Sequence, residues 1–180
     1  KEKGEKVDFL LMSATPIPRT LAATLYGDMD ISTIMTMPPG RKPIQTQLIE
    51  KNTLSPIMPQ LLKQLAQGGQ IYIVCSAIEE NENFDGRNVL DIFESLSKAF
   101  AGKAKLGLMH GRMSSEEKEQ AMHDFEANKT QILVSTTVIE VGVNVVNACC
   151  MVIYDAHRFG LSQLHQLRGR VGRGNRQGYC

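Results

Sequence analysis

Leu106-Gly107-Leu108-Met109-His110-Gly111-Arg112-Met113-Ser114-Ser115-Glu116-Glu117 is the stretch whose reading decides the fold. A short apolar run breaks into a polar turn. Ser114, with Glu117 three residues on, then carries the capping-box signature of a helix start. The next apolar run, Ile132 to Ser135, follows that helix and completes a strand–helix–strand unit. Strands that are apolar throughout, and not alternating, are those covered on both faces.

The same rhythm extends in both directions. Toward the N-terminus, Gly86 to Phe100 reads as a helix with Val89, Ile92, Phe93, Leu96 and Phe100 on its stripe. A polar loop, Glu79 to Asp85, separates it from a buried strand at Ile71 to Cys75. Leu54 to Gln67 is a further helix, with Ile57, Leu61, Leu62 and Leu65 on one side and Gly68-Gly69 at its end. Toward the C-terminus, Ala148 to Tyr154 supplies another strand. The expected architecture is α/β, a parallel sheet with helices on both faces. Ligands of such sheets bind at the carboxyl edge, so Ser76 onward, His110-Gly111-Arg112, Thr136-Thr137 and Asp155 onward are expected to share one rim.

Before residue 54 the pattern is less regular. Val7 to Met12 reads as a buried strand entering the loop Ser13-Ala14-Thr15-Pro16-Ile17-Pro18-Arg19-Thr20, where two prolines forbid a central strand. A short helix from Thr20 to Tyr26 and a strand from Asp30 to Met37 follow. Pro38-Pro39-Gly40-Arg41-Lys42-Pro43 is a semi-rigid linker, in which solvation is the default for Arg41 and Lys42. Ile44 to Ile49 alternates as a strand does.

The 180 residues suffice for one substantial core, with a piece of a neighbouring domain. An apolar share of 42% and a charged share of 22% are those of an ordinary globular protein. No apolar run is long enough to span a bilayer and the Lys-rich start lacks a signal-peptide pattern, which predicts a cytoplasmic protein. Cys75, Cys149, Cys150 and Cys180 lack metal-ligand spacing and read as reduced thiols. The formal charge of +1 is unevenly spread: Ala156 to Cys180 holds five arginines and no acid, leaving 15 basic against 19 acidic residues elsewhere. A local basic patch of this kind suits an anionic ligand or a nucleic-acid backbone.

Gln163 to Arg173, Gln-Leu-His-Gln-Leu-Arg-Gly-Arg-Val-Gly-Arg, lies in that patch. At helical period Leu161, Leu164, Leu167 and Val171 share one face, and Gln166, Arg170 and Arg173 the other. Guanidiniums one turn apart suit phosphate, each being a permanently charged planar fork of donors. Three arginines alone would equally make a solvated face. As this helix follows the last strand, its polar face is expected on the shared rim. In Ser135-Thr136-Thr137-Val138-Ile139-Glu140-Val141-Gly142-Val143-Asn144-Val145, hydroxyls stand directly after a strand and Gly142 permits close backbone approach. Thr136 and Thr137 would serve equally as helix N-caps.

Taken in order, Ser13-Ala14-Thr15, Ile71 to Cys75, His110-Gly111-Arg112, Thr136 to Val145 and Gln166 to Arg173 resemble motifs III, IV, IVa, V and VI of superfamily 2 helicases. Ala14-Thr15-Pro16-Ile17-Pro18-Arg19-Thr20, Leu25-Tyr26-Gly27-Asp28, Pro38 to Pro43 and Arg158 to Arg170 are similar to the RecG family of ATP-dependent DNA helicases. The transcription-repair coupling factors share several of these phrases. The resemblance covers nearly the whole chain and implies a RecA-like, P-loop NTPase type fold. It makes 1–37 the tail of a first helicase lobe, 38–43 a linker and 44–180 the second lobe, with branched DNA and the first lobe of the same parent chain as partners. The cofactors implied are ATP and Mg²⁺, the metal's ligands lying on the first lobe, since this sequence has no G-x-x-x-x-G-K-[ST].

By the same resemblance Arg170 and Arg173 are arginine fingers and Gln166 faces the nucleotide. Gly142 and Asn144 approach the ATP sugar and phosphates, although Asn144 stands where an aspartate is usual and so keeps an acceptor without its charge. His110, Gly111, Arg112, Thr136 and Thr137 lie along DNA, and Ser13 and Thr15 couple hydrolysis to lobe movement. His157 likewise replaces the acid usual at its position. The activity implied is that of a bacterial, nucleoid-associated helicase that remodels stalled forks and Holliday junctions in repair and recombination, the isolated piece being inactive. The alternatives are a lobe of a transcription-repair coupling translocase, or a nucleic-acid-binding module without catalysis.

Overall fold

A computed structural model describes residues 10, 12, 30–36, 40–50, 53–76, 89–136 and 145–180. The chain divides into two units, Lys1–Thr36 and Met37–Cys180. In the first, Leu10 and Met12 are 80% and 82% exposed and belong to no strand, and residues 30–36 are exposed and irregular throughout. The strands expected at 7–12 and 30–37 are therefore absent at every described position. Apolar and β-branched residues form a strand only where a neighbour pairs and covers them.

The second unit is built on a parallel four-stranded sheet of order β2-β3-β1-β4, comprising β1 (Gln70–Val74), β2 (Leu106–Met109), β3 (Ile132–Ser135) and β4 (Ala148–Ile153). In register, Leu106 opposes Ile132, Ile71 opposes Ile132, and Val74 opposes both Ser135 and Ile153. Among the described residues four α-helices accompany it: α1 (Met58–Ala66), α2 (Val89–Ala99), α3 (Ser115–Glu126) and α4 (Leu161–Arg168). α1 begins four residues later than its periodicity suggests, with a turn over 54–57 ahead of it. α3 opens where expected: the Glu117 N–H donates to Ser114 Oγ at 3.2 Å, and the Ser114 N–H donates to Glu117 Oε2 at 2.8 Å.

Side-chain alternation along the strands creates two cores. Ile71, Ile73, Ile132 and Val134 pack against Leu61 of α1, Ile92 and Leu96 of α2, and Phe100. Tyr72, Val74 and Leu133 face the opposite way, onto Met122 and Phe125 of α3, Leu167 of α4, and Val171. Helices thus cover both faces. Tyr72 and Phe125, each almost fully buried, meet with ring centroids 4.8 Å apart, and burying such a ring contributes roughly 1.5–3 kcal/mol.

β4 departs from strict alternation at its start. Gln70 pairs with Ala148 but Ile71 with Cys150, so Cys149 is the extra residue of a bulge. Both cysteines consequently enter the same core, with their sulfurs 3.9 Å apart. All four cysteines are free. Burial, with the negative charge of Asp155 adding to it, pushes the Cys75 thiol up to about 12.

Beyond β4 the sheet is extended by two pieces distant in sequence. Tyr179 bridges Cys150 on one side and Gln45 on the other, both in parallel sense. The segment expected as a strand at 44–49 is thus reduced to this bridge and its flanking bonds, Gln45 N–H to the Gly178 carbonyl at 2.9 Å and Gln47 N–H to the Cys180 carbonyl at 2.8 Å.

Candidate functional site

The expected site residues fall at opposite edges of the sheet. His110, Gly111 and Arg112 follow the carboxyl end of β2, and Thr136 follows that of β3. These strands are neighbours, and the Thr136 N–H donates to the Met109 carbonyl at 3.1 Å, so the two loops start side by side. His110 is half-buried, its N–H directed at Met113 Sδ 3.4 Å away. Gly111 and Arg112 are exposed, and Lys118 donates to the Gly111 carbonyl at 3.1 Å. Thr136 is buried at 6% exposure, and its hydroxyl has no hydrogen-bond partner. Ser13, Thr15, Thr137, Gly142 and Asn144 lie outside the described residues.

The arginine stretch does not sit on that rim. α4 leaves β4 at the carboxyl edge and returns along the sheet face, and its eight residues span about 12 Å, roughly the length of the strands they cover. The chain therefore reaches Arg170 at the amino edge. There the Gly172 N–H donates to the carbonyl of Ala148, the first residue of β4, at 3.0 Å. The strand-end loops do open on one edge, but the expectation that the arginines share it fails, because a helix following a parallel strand must run back against it.

Arg170 and Arg173 are also not on a helix. α4 ends at Arg168 with Gly169 as C-cap, and the Arg170 N–H closes a tighter turn onto the Leu167 carbonyl at 2.9 Å. Gly172 then adopts a left-handed φ of +66°, which glycine alone takes without cost. A Cβ there would stand 3.2 Å from the Gly178 Cα, and a Cβ on Gly178 would stand 3.1 Å from both the Gly172 Cα and Ile44 Cγ1. The apolar stripe holds only in part: Val171 and Leu167 are buried, Leu164 is half-buried, and Leu161 is 86% exposed.

What the turn displays is cationic. Gln166 and Arg173 are exposed and Arg170 is half-buried, and neither arginine pairs with an acid among the described residues. Arg173 Nε donates to the Gly169 carbonyl at 3.0 Å. Arg41, expected to be solvated, is half-buried and donates from Nη2 to the same oxygen at 3.1 Å. These nitrogens consequently lie within about 6 Å of each other. Two like charges so placed repel by on the order of 1–3 kcal/mol between water-like and surface-like screening, and an anion beside them reverses the sign. Beneath the turn, burial pushes the Tyr72 hydroxyl up to about 12, with Arg170 and Arg173 pulling it down and Glu126 pushing it up.

A groove of about 970 Å³ lies elsewhere, between residues 45–50, α1, β4 and the outer side of α4, and contains none of the expected site residues. Among the described residues no three His, Cys, Asp or Glu side chains gather as a metal site. No helix of the described residues is long and apolar enough to cross a membrane.

With this geometry in view, the helicase conserved C-terminal domain matches residues 54–175. The chain belongs to this family. Over its full length this helicase C-terminal domain is 57% identical to the ATP-dependent DNA helicase RecG of Bacillus subtilis (strain 168), of which it covers 26%. It thus spans about a quarter of the length of the curated relatives it matches. Among solved structures it is similar to RecG bound to a three-way DNA junction, with a TM-score of 0.77 and 48% identity over 97% of this chain and 22% of that one. The Mycobacterium smegmatis helicase Lhr bound to single-stranded DNA and AMP-PNP shares the fold, with a TM-score of 0.62 at 18% identity over 93% of this chain and 23% of that one. The helicase C-terminal domain is accordingly RecA-like in architecture, as the resemblance implied, and its parallel sheet with helices on both faces is the one its strand–helix rhythm led us to expect. Sequence reading missed Arg41, whose one visible sign was a cation inside a proline-rich break, and Tyr72, which looked like any other core residue.

Proposed function

We propose that this domain is the second motor lobe of a RecG-like ATP-dependent DNA helicase that remodels branched DNA, stalled forks and Holliday junctions, in bacterial repair and recombination. The single observation that carries the reading is the cationic turn at the amino edge, two arginines without acid partners among the described residues, set on a crowded glycine-bounded loop well apart from the polar rim. High identity to RecG over the whole chain supports it.

In this reading residues 1–37 are the tail of a first lobe, 38–43 the linker and 44–180 the second lobe, and ATP is held between the lobes. Arg170 and Arg173 meet the charge that develops on the γ-phosphate during hydrolysis, where a preorganised guanidinium acts without reorganising. Gln166 faces the nucleotide, and Gly142 and Asn144 lie against its sugar and phosphates. Mg²⁺ would be held by acids of the first lobe and, when bound, would supply neutralisation of phosphate charge. His110, Gly111, Arg112, Thr136 and Thr137 follow the DNA backbone, and Ser13 and Thr15 couple hydrolysis to lobe movement.

The two edges then separate by measurement. In the full-length parent, Arg170→Ala or Arg173→Ala lowers ATP turnover at saturating branched DNA by roughly a thousandfold, with DNA affinity kept. Arg112→Ala weakens DNA binding and reduces its salt slope by about one. Wild-type turnover in both finger variants, with weakened DNA binding instead, would establish the non-catalytic alternative.

A further inference from the structure

The start of the second unit is fastened along its length to the segment that carries the arginines. Arg41 Nη2 donates to the Gly169 carbonyl, Gln177 Nε2 to the Pro43 carbonyl at 2.6 Å, and the Gln45 N–H to the Gly178 carbonyl. Of these ties Arg41 makes the one that reaches the arginine turn itself. Its acceptor is the carbonyl of the C-cap of α4, one of the carbonyls a helix end leaves without an intrahelical donor, and Arg173 shares it. The Nε of Arg41 is buried with no hydrogen-bond partner, so among the described residues the side chain is held by the bond at its tip.

We propose that Arg41 is a positioning residue for Arg170 and Arg173: by anchoring the Gly169 carbonyl it fixes the turn on which both stand and ties that turn to the segment leaving the proline-rich stretch. The inference rests on the motor-lobe reading. Movement of the segment at 40–43 is then transmitted to the arginines through a charge-assisted bond, with no nucleotide contact by Arg41 itself.

The test is steady-state ATP hydrolysis by the full-length parent on branched DNA, with Arg41→Ala, Arg41→Gln, Arg41→Lys, Gln177→Ala, Arg173→Ala and the Arg41→Ala/Arg173→Ala double variant. Arg41→Ala is expected to lower kcat at least tenfold with KM for ATP within about twofold. Arg41→Lys, which keeps a charged donor, recovers at least threefold of the loss. Gln177→Ala, which cuts a neighbouring tie to the same segment, stays within twofold of wild type, and the double variant is no more than threefold below Arg173→Ala alone. Should Arg41→Ala melt early, Arg41→Gln carries the comparison, with a fall in kcat of at least fivefold expected. An unchanged kcat, a raised KM at normal kcat, or losses that multiply in the double variant overturn the inference. If Arg173→Ala turns over ATP at the wild-type rate, the motor-lobe reading fails and this inference with it. If Arg173→Ala is crippled while the Arg41 variants are normal, the inference alone fails.

Discussion

The carboxyl rim and the amino edge of this sheet solve opposite problems. At the rim, His110 to Arg112 form an open polar turn: a Cβ on Gly111 would meet nothing within 4 Å. At the amino edge the space is taken: a Cβ on Gly178 would stand 3.1 Å from both the Gly172 Cα and Ile44 Cγ1, and one on Gly174 would stand 2.9 Å from the Val146 carbonyl oxygen. The described turn at the rim has room beside Gly111, whereas the arginine turn is hemmed in. Under the proposed function, an open edge would suit contact with a long, variable polymer and a crowded one the placing of charge against a single phosphate.

The contrast can be broken with one methyl group. Gly172→Ala is expected to destabilise the domain by roughly 1–3 kcal/mol through crowding, with about 1 kcal/mol more from the left-handed φ. Gly111→Ala should fall within about 0.5 kcal/mol of the parent. Chemical denaturation of the two variants side by side decides it, and equal losses would mean that the edges do not differ in rigidity. A smaller effect concerns the ring beneath the arginines. Since the Tyr72 hydroxyl is raised in the folded state, its protonated form stabilises the fold fully below about pH 10, and that contribution is lost as pH rises toward about 12. Over that window the loss approaches about 3 kcal/mol, so Tyr72→Phe should flatten the alkaline fall in stability. An unaltered alkaline slope would show that the hydroxyl is solvated. The smallest effect belongs to the rim's supporting helix: Ser114→Ala removes one half of the capping box and should cost about 1 kcal/mol, with ATP turnover of the parent unchanged at saturating DNA.

Much of the scaffold was legible in the sequence because it was written locally. β2 and β3 begin and end at Leu106, Met109, Ile132 and Ser135 as their apolar runs do, and Ser114 with Glu117 marks the helix start by its own hydrogen bonds. The ends governed by distant contacts were not legible. The helical period of Leu164, Leu167 and Val171 continues past Arg168, but Gly169 and Gly172 turn the backbone away, and Val171 reaches the same core from a turn. Arg41 looked solvated because its acceptor lies 128 residues away, and no local pattern encodes such a pairing. The strands expected at 7–12 and 30–37 carry the right residue types without a described neighbour to pair them.

The bridge of Tyr179 to Cys150 and Gln45 has a mechanical meaning. Segments 45–47 and 178–180 lie parallel and are joined by three backbone hydrogen bonds. Tension applied between Arg41 and Cys180 pulls the two in opposite directions along a common axis. The bonds are then loaded together in shear and do not open one after another as in a zipper. The seam between these two segments therefore resists such a pull with all three bonds at once.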